Sequence, residues 1–350
     1  MTIRHPLSAD GLAILALTAR PARGAQGWSG PDGPVPLGPA AFARVARALS
    51  AAGATPADFL ARDAAEITAL LGGATEAAEV IARLAARATT LAMEVERLEE
   101  RGIWLVSIAD MAYPGRLRDR LGDSAPPILY GAGCVELLGA GGVAIVGARD
   151  ADAAALRYAA DAAAAVARAG GTVISGGARG VDAAALNGAA KASGKVVGVL
   201  AESLERKARS TGVRALVADE RLVLVSPYGA DVPFSVGGAM GRNRLIYCLA
   251  DAALVVTTAE GTGGTWAGAV EALKARWVPV HVRAGEGVPA GNAALIALGA
   301  LALEGDPERA ADLPDDAGTR PDHEADGGAE HDQVAEQQTL FGVVSGGGST

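Results

Sequence analysis

Val143-Ala-Ile-Val-Gly-Ala-Arg149, an alanine-rich run, and then Thr172-Val-Ile-Ser-Gly-Gly-Ala-Arg-Gly-Val-Asp182 decide the fold of this chain. Two short β-branched runs each stop at glycine, and a helix-length segment follows each. That alternation is the mark of a parallel βα sheet. Such a sheet places its working loops outside the carboxyl ends of its strands. Here those loops carry Gly147, Arg149, Gly176, Gly177, Arg179, Gly180 and Asp182. Glycine admits close backbone approach, helix amino ends offer N–H donors and arginine supplies a rigid cationic fork. The loops read as a site for a phosphate-bearing partner.

Working outward, the pattern predicts strands at 143–146, 172–175, 195–200, 222–226, 253–257 and 278–282. Helices are predicted at 151–169, 182–193, 242–250 and 266–275. Runs such as Val196-Val-Gly-Val-Leu200 are apolar on both faces, as strands covered on both sides must be. With right-handed crossovers this gives an α/β class: a doubly wound, Rossmann-like parallel sheet over residues 142–305, closed by an apolar run at 293–303. Upstream, 99–141 reads as a lead-in segment packed on this core, with a short strand at 102–107 and an extended crossing at Pro126-Pro127. Residues 1–98 read as a helical domain, with helices at 41–51, 57–71 and 75–98. A helix-hairpin-helix-like DNA binder, a partner-docking unit and a plain packing domain all fit that region. Gly11 to Ala19 has the look of a weak signal h-region but lacks a basic flank, so no secretory signal is expected.

Aromatic residues make up only 4% of a chain that is half hydrophobic, so the core must be built of Ala, Val and Leu. The 2 cysteines, Cys134 and Cys248, form no disulfide frame or zinc site, which fits a reduced, cytoplasmic setting. No apolar run approaches the ~20 residues of a membrane span. Between Asp306 and Glu336, 11 acidic residues face 2 arginines, which accounts for the whole net charge of −9. Residues 1–305 are therefore neutral and free to hold a local basic pocket. The segment 306–350 reads as a disordered acidic tail. Within it Gln337, Leu340 and Phe341 stand out as a docking peptide.

Val146-Gly-Ala-Arg149 is not a dinucleotide fingerprint, because the second and third glycines are missing, and no cofactor is expected. In Ser175-Gly-Gly-Ala-Arg-Gly-Val-Asp182, Asp182 fits a helix cap as well as a functional acid. Gly241-Arg-Asn-Arg244 reads as the opening of a helix, where Arg242 and Arg244 would oppose the dipole unless an anion offsets them. Asn243 lies between them. Glu260-Gly-Thr-Gly-Gly-Thr-Trp266 reads as an anion nest of backbone N–H groups at Thr262, Gly263, Gly264 and Thr265, without the lysine of a Walker loop. The four histidines are scattered, so no triad or metal cluster is expected. Tyr228, Phe234 and Trp266 are the few stacking candidates.

Together with Tyr113-Pro114 and Pro126-Pro-Ile-Leu-Tyr-Gly131, these motifs resemble the DprA/Smf family of DNA-processing proteins over residues 100–280. The resemblance implies an extended Rossmann fold after a helical module, self-association as a homodimer, and a non-enzymatic mediator. Such a mediator protects single-stranded DNA and loads a RecA-type recombinase. It also implies that Arg149 lies in a basic pocket that contacts DNA phosphates. The chain departs from the family at Glu202-Ser-Leu-Glu-Arg-Lys-Ala208, where Lys207 and Arg209 are the candidate cations, and at Gly241 and Gly261, where arginine is common. Gln337 to Phe341 resembles the peptide that binds the bacterial sliding clamp. A second reading is a nucleotide-binding or phosphoribohydrolase-like protein, since the Gly-Thr-Gly-Gly-Thr loop is similar to one in that group. There the catalytic glutamate falls at the position of Gly268, and Glu271 is the next acid.

Overall fold

A computed structural model describes residues 7–19, 33–233 and 235–313 of the chain. Gln337, Leu340, Phe341 and Phe234 lie outside the described residues.

Among the described residues, nine strands form one sheet in the order β1-β2-β6-β5-β4-β3-β7-β8-β9. These are β1 (Trp104–Ser107), β2 (Ile128–Gly133), β3 (Val143–Gly147), β4 (Thr172–Ser175), β5 (Lys195–Val199), β6 (Leu222–Ser226), β7 (Ala252–Thr257), β8 (Val280–Arg283) and β9 (Leu301–Leu303). All six strands predicted for the core, and the short one predicted at 102–107, are present. The pairs from β6 through β9 are parallel, while β1 and β2 add on antiparallel. Thus the segment 99–141 does more than pack on the core, because its two strands extend the sheet itself. From β3 the chain winds through β4, β5 and β6 to one side and later through β7, β8 and β9 to the other. The gap between the carboxyl ends of β3 and β7 is therefore the topological switch point, where open α/β sheets bind ligands.

Period-2 alternation sorts the strand residues between two covers. Val143, Ile145, Val173, Val196, Leu224 and Leu254 face α7 (Ala153–Arg168), α8 (Val181–Lys191) and the N-terminal helices. Ala144, Val146, Ile174, Val197, Val225 and Val255 face α6 (Gly115–Leu121), α11 (Val236–Leu249), α12 (Gly263–Ala275) and α13 (Ala290–Ala297). With so few aromatics, tight packing comes from small residues. A Cβ on Gly188 of α8 would lie 2.3 Å from the Ala160 carbonyl oxygen of α7. At the sheet edge, Trp104 lies across Gly131 on the neighbouring strand and donates its indole N–H to the Gly133 carbonyl at 2.9 Å.

The N-terminal region differs in detail from the sequence pattern. Gly11 to Ala19 belongs to α1 (Ala9–Thr18), capped by Ser8, whose Ile14, Leu15 and Leu17 are buried in the shared core. The hydrophobicity that mimics a leader is that of a core helix. The single helix expected at 57–71 is split into a 3-10 turn (Pro56–Leu60) and α3 (Ala64–Leu70). The cause is Asp63, which accepts from Glu66 N–H at 2.9 Å while Glu66 accepts from Asp63 N–H at 3.1 Å, a reciprocal cap that starts a new helix. The stretch 75–98 is likewise two helices, α4 (Thr75–Ala85) and α5 (Ala88–Glu100). At the break Arg87 reaches back to the Ala16 and Ala19 carbonyls, satisfying the carboxyl end of α1. The remaining helices are α2 (Pro39–Ala51), α9 (Leu204–Ala208) and α10 (Thr211–Ala218). The packed chain also runs past the expected start of the tail at 306. Arg168 of α7 pairs with Glu308, and Ala310 and Leu313 are buried. No helix among the described residues is long and apolar enough to cross a membrane.

Gly131→Ala places a Cβ 2.1 Å from the Trp104 ring and forces the indole off its strand pair. The expected cost is ~1–3 kcal/mol, read as a lowered thermal midpoint. An unchanged midpoint would contradict this packing.

Candidate nucleic-acid interface

The loops at the switch point are gathered around one buried carboxyl. Asp182, in the first turn of α8, is buried among the backbone amides of Gly147, Ala178 and Gly176, whose N–H dipoles favour its charged form, so it stands between the turn after β3 and the turn after β4. Its role exceeds the helix cap considered from sequence, because Gly180 holds the cap position at φ 85°. Burial pushes the Asp182 carboxyl up to about 6, against the Arg242 charge and the three N–H groups, which pull it down. Arg242 is buried beside it and donates Nη1 to the Val199 carbonyl at 2.7 Å, which adds the end of β5 to the same knot. Ser175 Oγ donates to Ile145 O at 2.6 Å, and Thr265 Oγ1 donates to Gly147 O at 3.0 Å, tying β4 and α12 to β3.

These contacts revise the reason for two glycines. A Cβ on Gly176 would meet Arg242 Nη1 and the Asp182 carboxylate, and one on Gly147 would lie 2.7 Å from Val181. Both are bare because the protein's own side chains occupy that space.

The largest revision concerns Arg242 and Arg244. They do not open a helix: α11 begins at Val236, capped by Ser235 Oγ accepting from Gly238 N–H at 3.0 Å, so both arginines lie in mid-helix. Gly237, Gly238 and Gly241 weaken the helical pattern of the first two turns and hide the true start. The dipole conflict is absent, and the buried Arg242 finds a carboxylate of the protein itself nearby. Arg244 Nε pairs with Glu271 at 2.7 Å, and the two line a small cavity of about 120 Å³ beside Asn243 and Gly264.

Arg149, Arg179 and Arg242 do converge. All three line a cleft of about 280 Å³ with Gly176 and Gly177. Arg149 and Arg242 also line the adjoining cavity of about 740 Å³ at the switch point, with Gly147, Asn243, Thr262, Gly263, Gly264 and Thr265. Arg179 pairs with Asp150 at 2.9 Å, but the two side chains are 72% and 78% exposed, so the pair is weak and easily exchanged for a ligand anion. Gly180 shapes the turn and lines neither space. Asn243 is held in place by donating Nδ2 to Gly264 O at 3.0 Å. Among the stacking candidates, Trp266 lines the larger cavity, whereas Tyr228 braces α11 by donating to Gly238 O at 3.0 Å. Lys207 and Arg209 lie on α9 and its cap, and Arg209 pairs with Glu205 at 3.0 Å. The sequence reading missed Tyr247, Val236 and Met240 on the cavity wall. Tyr247 follows Asn243 by one helical turn, a spacing that would have placed both on one face. Gly268 packs on Tyr247 too closely for a larger side chain, a Cβ there being 3.2 Å from the ring, and Glu271 is engaged by Arg244. Among the described residues there is no cluster of three or more potential metal ligands.

The Asp182 pKa sets a pH signature. Between about pH 4 and 6 the folded chain keeps a proton on Asp182 that the unfolded chain has released. Ionising Asp182 therefore costs the fold as pH rises: the penalty is absent below the unfolded value and complete above about 6. Asp182→Asn carries no such ionisation. The stability of the parent chain minus that of the variant should fall by about 3 kcal/mol from pH 4 to 7 in urea titrations. A difference independent of pH contradicts the assignment.

A comparison with curated proteins gave no match. Among solved structures, DNA processing protein A from Streptococcus pneumoniae is 21% identical, with a TM-score of 0.53 over 76% of this chain and 96% of that one, and shares the fold. DNA processing protein A from Helicobacter pylori, whose structure concerns its single-stranded DNA binding mode, is 25% identical over 57% of this chain and 90% of that one, with a TM-score of 0.47. Over residues 104–312, more than half of its length, the chain matches the sequence model of DNA recombination-mediator protein A, and it belongs to that family.

Proposed function

We propose that the chain binds single-stranded DNA and acts without catalysis, as a mediator that protects the strand and helps to load a RecA-type recombinase. The observation that carries this reading is the convergence of Arg149, Arg179 and Arg242 on one cleft at the carboxyl edge of the sheet. Family membership supplies the recombination process. Within the cleft the three arginines have different parts. Arg242 is fixed in the fold and contributes field, whereas Arg149 and Arg179 are exposed and contribute exchangeable phosphate contacts. Binding of this kind releases counterions, so affinity falls steeply with salt. Phosphate contacts carry no sequence information directly, so base selectivity is low. A homodimer and a sliding-clamp contact through Gln337, Leu340 and Phe341 extend the proposal, supported by the family resemblance and the peptide pattern. A cytoplasmic setting accords with it.

Arg149→Ala and Arg179→Ala should each weaken binding of a short oligothymidylate and reduce the slope of log affinity against log salt by about 0.7 per lost phosphate contact. Arg244→Ala, which removes a guanidinium already paired with Glu271, should leave the slope unchanged. Filter binding at two salt concentrations reads both, and a parent chain that retains no strand even at low salt overturns the proposal.

A further inference from the structure

Two concentrations of opposite charge stand in this chain, one on the fold and one beyond it. Residues 314–336, which lie outside the described residues, carry 8 carboxylates against a single arginine, Arg320. Their apolar side chains are alanine, proline and Val334 alone, so charge is what the stretch can offer a partner. On the fold, Arg149 and Arg179 stand exposed on the cleft of about 280 Å³. Among the described residues Glu202 is the one acid on that wall, and it pairs with Arg206 at 3.2 Å. The cleft therefore keeps a cationic excess. It also already takes a carboxylate: Arg179 holds Asp150 at 2.9 Å with both side chains mostly exposed. Arginine meets carboxylate and phosphate with the same planar fork, so a run of carboxylates competes for the contacts that a strand would make.

Reach fits as well as charge. The last described residue, Leu313, is buried just after a 3-10 turn (Pro307–Ala311) that packs on α7. That helix has 16 residues and so is ~24 Å long, and Arg149 lies just before its amino end. Asp322 and Asp332 follow Leu313 by 9 and 19 residues. A coil of such lengths spans ~15–26 Å, which matches the helix that separates the two places.

We propose that the carboxylates between Asp315 and Glu336 occupy the Arg149–Arg179 cleft while no strand is bound, and that an incoming strand displaces them. The inference rests on the single-strand reading and adds its regulation. Being tethered, the competitor acts at a local concentration of about a millimolar, whatever the concentration of the protein. Strand affinity is then set by the acidic stretch as much as by the cleft.

The test is a double-mutant cycle in the full chain, read by filter binding of a labelled oligothymidylate at two salt concentrations. One variant neutralises the stretch by Asp322→Asn, Glu324→Gln, Asp326→Asn, Glu330→Gln and Asp332→Asn. A second is Arg149→Ala, and a third combines the two. In the parent background neutralisation should tighten strand binding about tenfold at low salt, and the gain should shrink as salt rises. In the Arg149→Ala background the gain should drop to about threefold or less, because the carboxylates have lost one of their seats. An equal gain in both backgrounds overturns the inference, since a stretch that repels DNA from elsewhere acts regardless of Arg149. No gain in the parent background also overturns it, and leaves the single-strand reading standing. If neither the parent nor the neutralised chain retains the strand, the single-strand reading falls and takes this one with it.

Discussion

A buried carboxyl surrounded by backbone amides is the contact on which the carboxyl edge of this sheet depends. Asp182 lies among N–H groups from the turns after β3 and β4, and Arg242, fixed to the end of β5, stands against it. Removing one member of such a buried charged set leaves the other uncompensated, which in other proteins costs ~3–5 kcal/mol. The glycines at 147 and 176 follow from this knot, because the space their side chains would take is already filled. Their absence of a Cβ is a packing requirement first, and only through it a feature of the ligand surface.

The same knot divides the cations by duty. Arg242 is part of the framework, and burial lowers its guanidinium pKa, so its charge is costly and held in place. Arg149 and Arg179 lie outside, where a charge is cheap to keep and easily given to a phosphate. Arg244, two residues from Arg242 on the same helix, points to another neighbour because successive helical residues diverge by about 100°. A motif read as a pair of equivalent arginines is thus one structural and one surface residue.

Much of the architecture was legible. The strands β3 to β8 are apolar runs ended by glycine or polar residues, and a strand buried on both faces leaves no other way to write itself. α11 was not legible at its start, because three early glycines imitate a loop and only the Ser235 cap and the contacts beneath it restore the helix. α1 was absent from the predicted helices, since a short apolar run carries no helical alternation to mark its buried face. The breaks at Asp63 and Arg87 depend on side-chain bonds to backbone groups, which hydrophobic periodicity does not register.

The sequence by itself determined the α/β class, the order of strands and helices, and the gathering of glycine and arginine at strand ends. Those are written in local periodicity and in residues with strong conformational preferences. The tertiary structure alone decided that β1 and β2 join the sheet, that Asp182 and Arg242 serve the fold, and that Arg244 turns aside. It also placed Tyr247, Met240 and Trp266 around one cavity. These depend on which residues, tens of positions apart, compete for the same few ångströms, and local sequence carries no record of that contest.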